Sequence, residues 1–266
     1  MDPHVAVGGK APSQAGAIVE VRQGPVLQMG FDRPGRLNAI TLQMYDDLSA
    51  GFARATSTPE IKVVVLHGTE DVFTAGNDVG DFLRNPPADE SSPVLRFLEV
   101  LSSFTKPLIA AVNGAAVGVG TTMLLHCDLV YAGNAAQFSL PFARLGLCPE
   151  AGSSLLLQMV AGRARAAEKL LFGESFGADE AKEMGLINKV LPASTVLTHA
   201  LERAQALAQL PAESLLHTKR LLRAPFAPQL RAAMADEAAT FKRMLTEPAA
   251  REAFEAFLQK RKPDFS

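Results

Sequence analysis

The chain has 266 residues, 48% of them hydrophobic, enough to bury a full core as one large domain or as one domain with a helical appendage. Its 26 basic and 28 acidic side chains leave a formal charge of −2. That balance excludes a general attraction to nucleic acid or an anionic membrane and leaves only local basic groups for a phosphorylated ligand. Two cysteines, Cys127 and Cys148, sit in apolar surroundings without metal-type spacing and read as buried structural thiols in a reducing compartment.

Residues from Met1 to about Gly16 are small and polar, lack the apolar run of a secretory signal, and are expected to form a flexible lead (1–16). Ala17–Gln23 and residues 25–31 read as two short strands joined near Gly24. Pro and Gly interrupt any period in Asp32-Arg33-Pro34-Gly35-Arg36-Leu37-Asn38-Ala39, which predicts a loop. Thr41 then caps a helix to about Ala55, with Met44, Leu48, Phe52 and Ala55 at helical spacing. Residues 61–67 are a β-branched strand expected to be buried on both faces. The stretch from Phe82 to about Ser92 reads as a mobile loop, and residues 93–104 return to helix.

Residues 107–125 carry no charge and are long enough to raise the question of a membrane span. Asn113-Gly114 is a turn signal, however, and His126 and Asp128 follow directly. A buried strand at Leu108–Val112, a tight turn and a helix over residues 119–127 explain the run better. Short strands are expected at 129–132 and 137–140. Beyond Ser153 strand signals fade apart from Lys189–Leu191, and helices are predicted over 166–172, 178–184, 195–210, 212–222, 228–245 and 249–260. This order predicts an α/β fold with a parallel sheet and crossover helices. It divides the chain into a core over 17–195 and a helical C-terminal region over 196–266, whose apolar positions suit packing on a partner subunit.

Two segments carry the chemistry. Phe73-Thr74-Ala75-Gly76-Asn77-Asp78 and Asn113-Gly114-Ala115-Ala116-Val117-Gly118-Val119-Gly120 are each a glycine-bearing turn between a predicted strand and a predicted helix. Two such turns can aim backbone N–H groups at one carbonyl oxygen, which suits an enzyme that stabilises an enolate. Glu150 adds a carboxylate at the mouth of a further predicted helix, so the set points to proton transfer beside a thioester carbonyl. The plainer readings are turns required by packing and a helix-start acid favoured by the dipole after Pro149. Asp78 reads as tied to local backbone and Asp128 as structural; His67 and His126 read as core or helix-end histidines. No ligand spacing, Walker motif or dinucleotide fingerprint occurs, so neither a metal nor a separate cofactor is expected.

Arg33-Pro34-x-x-Leu37-Asn38-Ala39, Phe73-x-Ala75-Gly76-x-Asp78, Lys106-Pro107-x-Ile109-Ala110-Ala111-Val112-Asn113-Gly114, Cys127-Asp128, Ala181-x-x-x-Gly185-Leu186-Ile187-x-x-Val190 and Phe257-x-x-Lys260-Arg261-Lys262 occur in this order. The ordered set resembles the crotonase (enoyl-CoA hydratase/isomerase) superfamily over about residues 17–265. The resemblance implies a crotonase-like spiral of β-β-α units with a C-terminal helical trimerisation region, and homotrimers or dimers of trimers. It also implies an acyl-CoA substrate with its thioester oxygen in an oxyanion hole, coenzyme A entering only as part of that substrate. Position by position, the donors fall on the N–H groups of Asn77 and Val119. Contacts to CoA or the acyl group fall on Arg36, Ala39, Ala75, Gly76, Asp78, Gly118, Phe142 and Lys260. The acyl pocket is expected between residues 82–98 and around Phe142, Met123 and Leu147.

The departure from the family pattern concerns the acids. The two glutamates of hydratases fall here on Thr122 and Phe142, which cannot hold and deprotonate a water, so ordinary hydratase activity is not expected. Glu150, within Ser139-Leu140-Pro141-Phe142-x-x-Leu145-Gly146-x-x-Pro149-Glu150-x-x-Ser153-Ser154, resembles the lone carboxylate of the peroxisomal-type Δ3,Δ2-enoyl-CoA isomerases. Two alternatives stay open: a hydrolase or dehalogenase-like member using that carboxylate as nucleophile, and a non-catalytic acyl-CoA-binding scaffold. The ending Pro263-Asp264-Phe265-Ser266 is not a peroxisomal Ser-Lys-Leu signal, so a cytoplasmic location is expected.

Overall fold

The structure is a computed structural model, and it describes residues 16–87, 89 and 91–266. The sequence-predicted lead before Gly16, and Ala88 and Glu90 within the predicted loop, lie outside the described residues. In chain order the elements are β1 Ala17–Gln23, β2 Val26–Asp32, α1 Leu42–Ser57, β3 Val63–His67, β4 Val72–Thr74, α2 Val79–Arg84, α3 Pro93–Ser103, β5 Leu108–Val112, β6 Ala115–Val117 and α4 Val119–Thr122. There follow β7 Leu129–Gly133, β8 Gln137–Ser139, α5 Ser153–Ala161, α6 Arg163–Phe172, β9 Phe176–Gly177, α7 Ala178–Glu183, β10 Lys189–Leu191, α8 Val196–Ala208, α9 Ala212–Arg223, α10 Ala227–Met244 and α11 Pro248–Leu258.

Strands alternate between two sheets. The larger has the order β1-β2-β3-β5-β7-β10, parallel except for the β1–β2 hairpin; the smaller has the order β4-β6-β8-β9, parallel from β4 to β8. Each turn of the chain thus places one strand in each sheet: β3 then β4, β5 then β6, β7 then β8. The single sheet read from the sequence is corrected to two. The short strands β4 and β6 were missed because three residues between glycines carry too little period to read.

The pattern of the large sheet follows from its side chains. Val64 and Leu66 of β3 enter the main core with Met29, Leu108 and Ala110, whereas Val63 and Val65 face a second cluster with Ile109, Ala111 and Tyr131. Alternate residues of one strand therefore serve two cores, which is why the run is apolar throughout. Val196, Ala200, Ala204 and Ala208 of α8 close the second cluster at helical spacing. Small residues on that stripe let the helix lie close to the sheet.

Two predicted elements differ. Phe82–Arg84 are helical within α2 rather than loop, because Asp78 caps the helix by accepting the Asp81 N–H at 2.8 Å. The helix predicted over 119–127 is α4 followed by a tighter 3-10 turn, Met123–His126. The uncharged run at 107–125 is thereby a strand, a turn, a second strand and a short helix. Among the described residues no helix is long and apolar enough to cross a membrane.

Asn38 ties the first loop to β4. Its buried side chain donates to Val72 O and Phe73 O, both at 3.1 Å, and accepts the Arg33 N–H at 2.8 Å, while its own backbone sits at φ 53°. Asn tolerates that left-handed conformation better than most residues. Thr74 Oγ1 donates to Asn38 O at 2.7 Å, and Ala75 N–H donates to Leu37 O at 2.9 Å. Asn38→Ala leaves two buried carbonyls and one N–H without these partners. A loss of about 2–4 kcal/mol in urea unfolding is expected, with an unchanged midpoint arguing against this tie.

Candidate active site

The two glycine turns leave neighbouring parallel strands at the same end. In the β4–β6 pair Val72 lies opposite Ala115 and Thr74 opposite Ala116, so Ala75-Gly76-Asn77 and Gly118-Val119 emerge side by side. Their backbones touch: a β-carbon at Gly76 would lie 2.7 Å from Val117 O, and one at Gly120 would lie 2.7 Å from Thr74 Cγ2. Only glycine fits either place. Gly118 has φ 55° and ψ −117°, a conformation open only to glycine, and a β-carbon there would meet nothing within 4 Å. Open space therefore adjoins this turn.

The donor groups are set by the same pairing. Ile40 N–H donates to Gly76 O at 2.8 Å, and Asp78 N–H donates to Ile40 O at 2.9 Å. In a parallel bridge these flanking bonds turn the N–H of the intervening residue, Asn77, to the opposite side. Gly118 N–H is used on Ser139 O at 2.9 Å, whereas Val119 N–H, in the first turn of α4, has no partner four residues back. The Asn77 side chain is held by the buried Tyr45, whose hydroxyl donates to Asn77 Oδ1.

Glu150 follows β8, the third parallel strand of the same sheet. It is 7% exposed, and its Oε1 lies 3.5 Å from Thr122 Oγ1, at the limit of a hydrogen bond. Burial, reinforced by the charge of Glu237, pushes its carboxyl up to about 8; the Thr122 hydroxyl works the other way. Burial together with the Glu150 charge also holds the Tyr45 hydroxyl well above its ordinary value. Thr122, in the helix that Val119 opens, thus joins the carboxylate to one donor turn, while Tyr45 holds Asn77 in the other and feels the Glu150 charge.

On its other side Glu150 borders a cavity of about 770 Å³ walled by Phe82, Val94 and Leu98 from α2 and α3 and by Leu230, Met234 and Phe241 from α10. The rings of Phe82 and Phe241 meet edge to face at 6.2 Å. Among the described residues, Glu150 is the buried carboxylate in this wall; Glu99 lies at the exposed rim. The expected wall at 82–98 is present. Phe142, Met123 and Leu147 are instead packed in the main core and do not line the cavity, because the Phe142 carbonyl anchors a tight turn by accepting the N–H groups of Leu145 and Leu147. The wall supplied by α10 was not foreseen, since nothing local in a helix says what it covers.

The remaining residues divide clearly. Asp78 is spent on capping α2 and on an ion pair with Arg33 at 2.6 Å, and burial is outweighed by Arg33 and the Asp81 N–H, which hold its carboxyl below the ordinary range. The Ala39 carbonyl accepts Arg33 Nη1 at 3.0 Å, and Arg36 is exposed on the same loop. Lys260 lies exposed past α11, and among the described residues no hydrogen bond or ion pair joins its side chain to the site. Asp128 accepts the Leu108 N–H and pairs with Lys219 at 2.6 Å, a structural role. Burial pushes the Cys127 and Cys148 thiols to about 12 and about 11, so neither is a thiolate at neutral pH. Among the described residues, no cluster of three His, Cys, Asp or Glu could hold a metal.

Strands dealt alternately to two sheets, with both glycine turns at one edge of the smaller, define the crotonase class of fold. The enoyl-CoA hydratase/isomerase family model matches residues 21–266, and the chain belongs to that family. It is 38% identical over 246 residues to enoyl-CoA delta isomerase 2 of Rattus norvegicus, spanning 90% of this chain and 62% of that longer protein. It is 35% identical over 251 residues to 2,3-dehydroadipyl-CoA hydratase of Escherichia coli, spanning 93% of this chain and 98% of the hydratase. Among solved structures, an enoyl-CoA hydratase/isomerase from Pseudoalteromonas atlantica superposes with a TM-score of 0.90 at 36% identity, covering 94% and 99% of the two chains. OdaA of Pseudomonas aeruginosa does so with a TM-score of 0.88 at 42% identity, covering 91% and 98%. The chain is thus an enzyme of a family that holds both isomerases and hydratases.

The buried carboxylate has a measurable cost. The folded protein holds the Glu150 proton up to about 8 against an ordinary 4.5, so between those values the native state binds more protons and stability falls as pH rises. Glu150→Gln removes the penalty. Its gain over wild type in thermal unfolding should be largest above pH 8, exceeding about 1 kcal/mol, and smallest near pH 4.5; a gain independent of pH would contradict this burial.

Proposed function

We propose that the protein is a Δ3,Δ2-enoyl-CoA isomerase with Glu150 as its single acid/base. The observation that carries this reading is the buried Glu150 carboxylate, set between Thr122 and the apolar cavity, while positions 122 and 142 hold no acid. A hydratase needs carboxylates to hold and deprotonate water; an isomerase needs one group that takes a proton and returns it.

The chemistry runs without water. The acyl chain occupies the cavity, and the thioester oxygen accepts the N–H groups of Asn77 and Val119. Glu150 takes a proton from C2, and the C2–H electron pair forms the C1=C2 bond of an enolate conjugated to C3=C4. The negative charge rests on the oxygen between the two N–H donors, each worth about 3–4 kcal/mol in the transition state. When the C1=O bond reforms, C2=C3 becomes the double bond and C4 takes the proton from the Glu150 acid. Desolvation favours both halves, because a carboxylate with a raised pKa is a stronger base and its acid is available for return.

In this reading Arg36, an exposed cation on the loop that carries Ala39, meets the nucleotide end. A homotrimer or dimer of trimers completes the reading, with exposed Phe172 and Phe257 as apolar surface for such an assembly to cover. Sedimentation equilibrium at the monomer mass would remove that part alone.

Purified protein should convert 3-trans-hexenoyl-CoA to the conjugated 2-enoyl thioester in an ultraviolet assay, and Glu150→Gln should lower kcat by at least about 100-fold. Because the base must be ionised, kcat/KM should rise with pH through a midpoint near 8. Hydration of 2-enoyl-CoA faster than isomerisation, or full turnover in the variant, would defeat the reading.

A further inference from the structure

The backbone just after Glu150 is strained, and the groups that hold it come from elsewhere. Ala151 has φ 60° and Gly152 φ 70°, two successive left-handed residues, and Ala151 is 3% exposed. A buried alanine in that conformation is strained and persists only where its surroundings fix it.

Two side chains fix this turn. His126 Nε2 donates to Ala151 O at 2.7 Å; burial pushes the ring's pKa down to about 4, so it is neutral with the proton on Nε2. From α10, Glu237 accepts the Gly152 N–H on Oε2 at 2.6 Å and the Ser154 N–H on Oε1 at 2.9 Å. Both carboxylate oxygens are thus spent on backbone donors at the start of α5. The same face of α10 presses on the turn, since a β-carbon at Gly152 would lie 2.3 Å from Leu230 Cδ1. Leu230, Met234 and Glu237 recur at helical spacing, so the face that walls the acyl cavity also grips the turn that carries the base.

We propose that Glu237 is a positioning residue for Glu150: through the Gly152 and Ser154 N–H groups it clamps the strained turn that follows this carboxylate. This rests on the isomerase reading for its catalytic consequence, but not for its physical content. Other groups face the pair. Asp236 neighbours Glu237 on α10, Cys148 Sγ lies 3.6 Å from the Glu237 carbonyl, Tyr45 and Thr122 are near Glu150, Lys219 and Arg223 are near His126, and Arg223 also lines the cavity that Glu150 borders. Among these, Glu237 alone both bonds the turn and adds a like charge to Glu150; burial raises its own carboxyl above the ordinary range, and the Ser154 and Gly152 donors work against that rise. A purely structural helix cap would cost stability when removed and would leave the titration of Glu150 where it was.

The test uses the full chain with ¹³C-labelled glutamate carboxyls, the Glu150 signal being assigned by its loss in Glu150→Gln. In Glu237→Gln the Glu150 midpoint should fall by about one pH unit, the acid limb of kcat should move with it, and kcat should drop about 10- to 100-fold. KM should change less than kcat. Glu237→Asp keeps the charge but shortens the reach, so it should hold the raised midpoint while kcat falls, and it carries the test should the glutamine variant fail to fold. A Glu150 midpoint and kcat that stay within twofold of wild type in the folded variants would overturn the proposal. Wild-type protein without isomerase turnover would sink only the functional reading, because the carboxyl titration still decides whether Glu237 acts on Glu150.

Discussion

The parallel pairing of β4 with β6 is the constraint from which the site follows. Parallel neighbours end at the same level, so the turns that leave them must pass each other closely, and here they do so at distances that admit no β-carbon at Gly76 or Gly120. Once that approach is fixed, the N–H of Asn77 is turned away from Ile40 by the bonds on either side of it. The Val119 N–H is left over at the start of a helix. A spiral that deals each successive strand to the smaller sheet repeats the arrangement, and its third repeat, after β8, delivers Glu150. Three chain segments far apart in sequence thereby reach one place through the pairing of the smaller sheet.

The second theme is the burial of charge. A carboxylate surrounded by apolar side chains opposes folding whenever it is ionised, and Glu150 has only a distant hydroxyl to offset this. The same desolvation makes it proton-hungry near neutral pH. Two lysines elsewhere are matched far better. Lys106 donates to the carbonyls of Ala55, Thr58 and Ile61 and closes the end of α1, and Lys219 pairs with Asp128. Glu150 is a poorly matched carboxylate, and it lies beside the cavity, where a chemical role would make such a mismatch useful.

Helix α10 joins these two themes. Its apolar residues wall the cavity while Glu237 reaches the start of α5, so the shape of the cavity and the setting of the turn after Glu150 belong to one helix face. Nothing in the local sequence of α10 announces this. Glu237 sits in Ala235-Asp236-Glu237-Ala238, a stretch that reads as an ordinary solvated helix turn. Phe142 misled in the other direction: a phenylalanine beside the site motif suggested a pocket wall, yet packing drew it into the main core.

By itself, the sequence determined the alternation of strands and helices, the two glycine turns and Thr41 as a helix cap. These are legible because periodicity, capping and glycine conformation are local, each settled within a few residues. Only the tertiary structure decided that there are two sheets rather than one, that α8 covers the large sheet, and that α10 walls the cavity and contacts the turn after Glu150. It also decided how strongly Glu150 is desolvated. Each of these depends on which surfaces meet across the fold, and an amphipathic helix specifies that it must be covered without specifying by what.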